Sequence, residues 1–233
     1  TDFNGEAQEG HGLHDFTILN GRRQSASVAF LRPISGRDNL RVETRAVATR
    51  VLIENGRAAG VEFSQHGQIR SVRATREVVL CGGTVNSPQL LMLSGIGEGE
   101  ALREHKIPVA IDLPGVGRNL QDHLGTYVAQ ECTQPITLRQ QLRYDRAAFA
   151  VIRALLWSSG PATAIPISAC AFLKTRPDLE VPDVQITLVP GLVVQKPWQR
   201  PDRDGFLVHV YQLRPESRGD IRLRSSDPFE RPV

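Results

Sequence analysis

The sequence is poor in cysteine, and what it has is badly placed for cross-linking. Cys81, Cys132 and Cys170 are odd in number and far apart. That excludes a disulfide framework and points to reduced thiols in a cytoplasmic protein. No Cys-x-x-Cys pair or His/Cys cluster occurs. His11 and His14 stand three apart, but Gly10 and Gly12 argue against a helix there and no third ligand is near, so no metal site is expected. No apolar run reaches the length of a bilayer crossing and no signal peptide is present. Charge of one sign is also scarce: 28 Lys and Arg stand against 25 Asp and Glu, a net +3. The basic residues are scattered rather than interleaved with aromatics, so no nucleic-acid partner is expected. An initiating methionine is missing as well. The chain opens Thr1-Asp2-Phe3 and stops at Arg231-Pro232-Val233, and both ends read as cuts in a longer protein.

What remains is ordinary. The 233 residues, 40% hydrophobic and 23% charged, suffice for one large domain or two small ones with a real core. The stretch around which the chain is organised runs from Cys81 to Gly97. Glu77–Leu80 before it is a short apolar, β-branched burst, expected as a buried strand. Ser87-Pro88 after it is expected to start a helix, with Ser87 as cap and Pro88 at the first helical position. Leu90, Leu91, Met92 and Leu93 form the helix body, and Gly95 and Gly97 stop it. The expected unit is strand, Gly82-Gly83 turn, helix. Such a turn points unpaired N–H groups outward, and its glycines carry no Cβ to hold a nucleotide cofactor away. The same pattern serves any tight strand-to-helix junction, so it does not by itself choose between ligand and fold.

Along the chain, residues 1–21 read as loop with a short strand at Phe16–Leu19. Ser25 caps a helix that Pro33 ends. Residues 39–80 read as a β-meander: alternation at 40–45, a run from Val47 to Glu54, the Asn55-Gly56 hairpin signal, a return at 59–63, a turn at His66-Gly67 and an outgoing strand at 69–74. Gly99–Lys106 is a second short helix. Gly115-Val-Gly117 lacks the third glycine and the βαβ setting of a dinucleotide fingerprint. Beyond it, 140–156 is helical, and 167–173, 184–189, 206–213 and 221–223 are strands of a largely antiparallel sheet. Trp157 and Trp198 are expected to pack.

Gly83-Thr-Val-Asn-Ser-Pro-Gln-Leu-Leu-Met-Leu-Ser-Gly-Ile-Gly97 resembles the second signature of the glucose–methanol–choline (GMC) oxidoreductases. Asp112-Leu-Pro-Gly-Val-Gly-Arg-Asn-Leu-Gln-Asp-His123 resembles the family's next landmark, at the usual separation. Shorter matches follow in order at Asp2–Gly5, Asn20–Ser25, Asn39–Val42, Pro177–Leu179 with Pro182-Asp183, and Pro215–Gly219. The chain is identified by them as part of a GMC-type protein of mixed α/β (α+β) class. The resemblance implies a partial FAD-binding domain over 1–125, built from the β-meander and the strand–GG–helix, and a partial antiparallel-sheet substrate domain over 126–233. It implies FAD as cofactor and hydride transfer from a small-molecule alcohol. Main chain at Ala48 is implied to touch the adenine; Gly82, Gly83 and Ser87 are implied to lie beside the cofactor, and Asn119 to help shape the flavin's surroundings. His123 is read as structural.

Two family features are missing: the G-x-G-x-x-G turn with its acidic ribose partner, and the C-terminal histidine that takes the alcohol proton. No catalytic residue is therefore assigned within this chain, and the piece alone is expected to be inactive. A non-catalytic remnant or interaction module is the alternative. Choline-acting relatives carry a glutamate where this chain has Ser168, which directs the resemblance toward a neutral primary alcohol. A dinucleotide sheet without its first βαβ unit leaves strand edges unpaired. The isolated chain is thus expected to aggregate and to hold FAD weakly or not at all; light scattering and a flavin spectrum check this, and a monodisperse yellow preparation contradicts it.

Overall fold

The computed structural model describes residues 2–167, 169–192 and 201–233. In chain order, strands β1 (Gly10–Leu13), β2 (Ile18–Leu19) and β3 (Arg22–Arg23) precede a helical turn over 27–34. Strands β4 (Ala46–Glu54), β5 (Arg57–Gln65) and β6 (Gln68–Arg73) lead to helix α1 (Gly83–Leu93), β7 (Ile96–Gly97), helix α2 (Gly99–Glu104) and β8 (Ile111–Asp112). Then come β9 (Gly125–Glu131), helix α3 (Tyr144–Trp157), β10 (Ala169–Leu173), β11 (Val184–Val189) and β12 (Gly205–Gln212). The chain makes two compact units, each from two separate stretches: 41–122 with 216–233, and 1–40 with 123–215.

In the unit over 41–122 and 216–233, β4, β5 and β6 form an antiparallel meander. Its turns sit where left-handed backbone is cheapest. Asn55 and Gly56 have φ of 49° and 73°, and His66 and Gly67 have 52° and 76°, as the Asn-Gly hairpin signal requires. The register slips between Ala48 and Arg50, so Thr49 is the extra residue of a bulge. Its hydroxyl is buried and donates to Glu62 Oε1 at 3.0 Å. The core of the unit is Met92 of α1, Leu102 of α2, Ile107 and Leu223, with Leu93, Val109, Val116 and Ile221 packed around them.

Three expectations for this unit need correction. Glu77–Leu80 is not a strand, and Val79 is 72% exposed. An apolar β-branched run becomes a strand only where a neighbour completes its ladder, and no described segment pairs with it. Helix α1 begins at Gly83 rather than at Ser87: Gly82 is the cap residue, without a side-chain hydrogen bond, and Pro88 lies inside the helix. Gly83 takes a φ of 77°, which lets the chain turn into the helix at once. Pro88, only one turn in, removes a single bond to the Thr84 carbonyl. Residues 40–45 and 221–223 are likewise not strands. Ile221 and Arg222 bond to Gly117 and Val233 individually, and Leu223 goes to the core instead.

The other unit carries a five-stranded antiparallel sheet in the order β1-β10-β11-β12-β9. β10, β11 and β12 fall where alternation places them. β1 and β9 escape sequence reading: β1 contains two glycines, and all seven residues of β9 are exposed, so it lacks the burial alternation of a half-buried strand. Helix α3 appears as expected and ends at Ser158 in left-handed geometry. Asn20 and Gly21, at φ of 50° and 69°, close the β2–β3 hairpin. Ser25 does start the next helical turn, its hydroxyl accepting from Val28 N at 3.3 Å. The turn runs past Pro33 to Ile34 because Pro33 falls at the start of a fresh 3-10 turn, where its missing N–H costs nothing. Trp157 is 66% exposed and does not pack as expected. Trp198 and Ser168 lie outside the described residues.

Gly95 closes α1 at a φ of 82°, and a Cβ there would stand 2.3 Å from the Pro108 carbonyl oxygen. Backbone strain and overlap together predict that Gly95→Ala costs about 3 kcal/mol, measured as a loss of urea midpoint for the unit containing Met92.

Candidate functional site

Ala48, Gly82 and Ser87 line one cleft of about 520 Å³ between β4 and the start of α1. Val47, Val78 and Leu90 supply apolar wall, and Cys81 lies at its edge as a free thiol. The sequence separates Ala48 from Gly82 by a whole meander, and the fold closes that gap by laying β4 against α1. Gly83 adjoins the cleft lining, and a Cβ there would meet nothing within 4 Å. A Cβ on Gly82 would come within 3.1 Å of both Asn86 Cβ and Ser87 N. The two glycines therefore differ: Gly82 lets the chain pack onto the helix turn, whereas Gly83 leaves backbone open to a ligand. Ser87 is a wall of the cleft rather than the cap of the helix.

Asn119 is not brought into this cleft. It lines a separate hollow of about 320 Å³ with Thr84, Pro88 and Gln121, against another face of α1. Its left-handed φ of 62° is held on both sides. Arg118 bonds Glu98 Oε2 at 2.5 Å and Asp220 Oδ2 at 3.0 Å, and Leu120 pairs with Gly219. The Glu98 hydrogen bond keeps the Arg118 guanidinium charged to still higher pH than usual. Asp220 is held below the usual carboxylate range, first by its hydrogen bond from Arg222.

The floor of the β4–α1 cleft is tied by a serine that sequence reading treats only as part of a helix stop. The Ser94 hydroxyl accepts from Val51 N at 2.7 Å and donates to the Leu90 carbonyl at 2.5 Å. On β5, opposite Arg50 of β4, burial works against the ionised Glu62 carboxyl. Hydrogen bonds from Arg50 (2.9 Å) and Thr49 outweigh it and hold the group below its ordinary value of 4.5. The cleft thus offers apolar walls, open main chain at Gly83 and hydroxyl and amide side chains at Ser87 and Asn86. That set suits a flat heteroaromatic ring with an attached sugar, and its residues fit the adenosine end of a dinucleotide.

In the other unit, one face of the sheet carries a row of rings not singled out in the sequence. Tyr127 of β9 stands opposite His209 of β12, ring centroids 5.6 Å apart, and His209 stacks on Tyr211 at 5.8 Å. The Tyr211 hydroxyl lies 3.2 Å from His209 Nδ1. The spacing of His209 and Tyr211, two apart in an alternating strand, was the available signal. Among the described residues no group of three His, Cys, Asp or Glu side chains could hold a metal, and no helix is long and apolar enough to cross a membrane.

Comparison with known proteins converges on one family. The GMC oxidoreductase profile matches residues 1–125. Mouse mitochondrial choline dehydrogenase is 42% identical over 233 residues, all of this chain and 39% of that protein. An oxygen-dependent choline dehydrogenase of Brucella anthropi is 42% identical over 232 residues, 42% of its length. The chain thus spans about two fifths of the curated relatives it matches. Among solved structures, a variant of Aspergillus oryzae formate oxidase, in work on its FAD modification, aligns with a TM-score of 0.82 at 25% identity, covering 93% of this chain and 42% of that one. Pyridoxine 4-oxidase from Mesorbium loti aligns at 0.76 and 24%, over 97% of this chain and 41% of that one.

The Glu62 pair gives a signed pH prediction. Its folded carboxyl lies below the unfolded value, so its contribution is present above the ordinary value of 4.5 and is lost as pH falls through the lower, folded pKa. Glu62→Gln is expected to lower stability at neutral pH and to flatten the acid limb of an unfolding titration followed by circular dichroism.

Proposed function

The chain belongs to the GMC oxidoreductase family, and on that premise we propose that it forms part of an FAD-dependent oxidoreductase acting on the CH–OH group of a small alcohol. The observation that carries the reading is the single cleft uniting Ala48, Gly82 and Ser87. Within it, main chain at Ala48 meets the adenine, Gly83 leaves room for the ribose, and Ser87 offers a hydroxyl to it. Asn119, fixed in left-handed backbone, orders its own hollow rather than the adenine cleft. The chemistry FAD supplies when bound is acceptance of a hydride from the carbinol carbon, which leaves an aldehyde. The unit over 41–122 and 216–233 takes the cofactor-binding role expected of residues 1–125, and the five-stranded sheet takes the substrate-facing role. No residue of this chain is assigned the alcohol proton.

Ser168 supplies no anion for a quaternary ammonium group, which favours a neutral primary alcohol. The ring row of Tyr127, His209 and Tyr211 favours a second reading, choline itself, because aromatic faces attract a quaternary ammonium group; the choline dehydrogenases at 42% identity point the same way. Three free thiols support a reducing, cytoplasmic location.

Two measurements test these readings. In the full-length gene product, amide exchange at 46–48 and 82–87 is expected to be slower with FAD bound than after its removal; unchanged exchange at both segments overturns the cofactor site. In the full-length gene product, anaerobic addition of an aliphatic alcohol is expected to bleach the flavin at least tenfold faster than choline, a gap of about 1.4 kcal/mol in barrier. The reverse order selects the choline reading, and removal of the Tyr127 ring should then weaken choline more than butanol.

A further inference from the structure

Helix α1 and strand β4 supply the two walls of the cleft, and neither is bonded to the other by a sheet ladder. Strand β4 pairs with β5 along one edge only. On its other edge the Val51 N–H, in a residue only 5% exposed, would be an orphan without a partner from elsewhere. Ser94 is that partner, at 2.7 Å. Its hydroxyl cannot swing away cheaply, because it is also bonded to Leu90 O, and its own N–H is tied to Leu90 and Leu91 carbonyls. Directly after it, Gly95 is pinned by Ala110 N and Ile111 N on its carbonyl. Ser94 therefore sits at a rigid corner and grips β4 three residues from Ala48, bonded to the Leu90 of the cleft wall but not itself part of the lining.

We propose that Ser94 is the positioning residue of the β4–α1 cleft: its hydroxyl sets how far Ala48 stands from Gly82 and Ser87, and so how well the cleft grips the adenosine end of a nucleotide. The bulge at Thr49 makes this grip consequential. The β4–β5 ladder changes register between Ala48 and Arg50, so pairing with β5 does not by itself fix the spacing of the segment bearing Ala48 from Val51. Alanine at 94 leaves a buried N–H unpaired, and the least costly relief is for β4 to shift until that group finds water. Threonine keeps the hydroxyl and is expected to keep the spacing. The ligand part of this inference rests on the cofactor reading above; the geometric part does not.

The test separates them. In a background with Cys132→Ser and Cys170→Ala, Cys81 on the α1 side and Ala48→Cys on the β4 side are joined with bismaleimides of graded span. Ser94→Ala is expected to move the preferred reagent to a longer one, and Ser94→Thr to restore the shorter. Ile107→Val, a core change away from the cleft, serves as a control for general loosening. In the full-length gene product with its native cysteines and its FAD removed, ADP titrated against each variant is expected to bind roughly tenfold more weakly to Ser94→Ala, with Ser94→Thr and Ile107→Val within about twofold of the parent. An unchanged reagent preference in Ser94→Ala, or an equal change in Ile107→Val, overturns the positioning role. If the parent chain binds no ADP, the cofactor reading falls while the cross-linking still decides Ser94.

Discussion

A strand with one open edge must satisfy that edge somewhere. Strand β4 has β5 on one side and helix α1 on the other, and a helix offers no ladder. The Ser94 hydroxyl is what the helix offers in its place. Around that bond the arrangement is determined: the C-terminal turn of α1 is fixed to β4, the N-terminal turn of α1 comes to face Ala48, and the cleft between them has a defined width. The bulge at Thr49 and the ion pair of Arg50 with Glu62 adjust the same strand locally, turning Ala48 outward while Thr49 and Val51 are buried.

Helix α1 serves two hollows by its periodicity. Asn86, Ser87 and Leu90 face β4, whereas Thr84 and Pro88, four apart, face the Asn119 loop. Pro88 takes a turn of the helix where its missing N–H frees only the Thr84 carbonyl, and both residues line the second hollow. A proline that looked like a helix start is instead a residue with one polar consequence, displayed toward a loop held in left-handed backbone. The signature stretch thus encodes a helix with two working faces rather than a single phosphate-binding turn.

How much of this was legible in the sequence depends on whether the deciding interaction is local. The Asn55-Gly56 and His66-Gly67 turns, the meander and the strand over 184–189 were readable because φ preference and alternation act within a few residues. The helix start was misread because Ser87-Pro88 is a strong local signal that Gly83, free to take positive φ, overrides. The run 77–80 has the residues of a strand but no described neighbour to pair with. Strand β9 has a neighbour but none of the residues' alternation. Of the site, Ala48 came only from family likeness, since nothing in an alanine between two β residues announces a ligand. The Ser94–Val51 bond and the Tyr127–His209 contact cross tens of residues, which no window reveals; only the His209–Tyr211 spacing is local.

The unit that carries the cleft is assembled from 41–122 and 216–233, and its core includes Leu223 beside Met92 and Leu102. A ribosome delivers these pieces far apart in time. By the time β4 and α1 have emerged and can clasp each other, Leu223 of their core is still to be made, and strands β9 to β12 of the five-stranded sheet must pass through the exit tunnel first. The nascent cleft therefore waits with its underside incomplete until 216–233 has emerged. Met92 and Leu102 stay without Leu223 over that interval, so the order of synthesis leaves the support of the cleft to be finished after its walls.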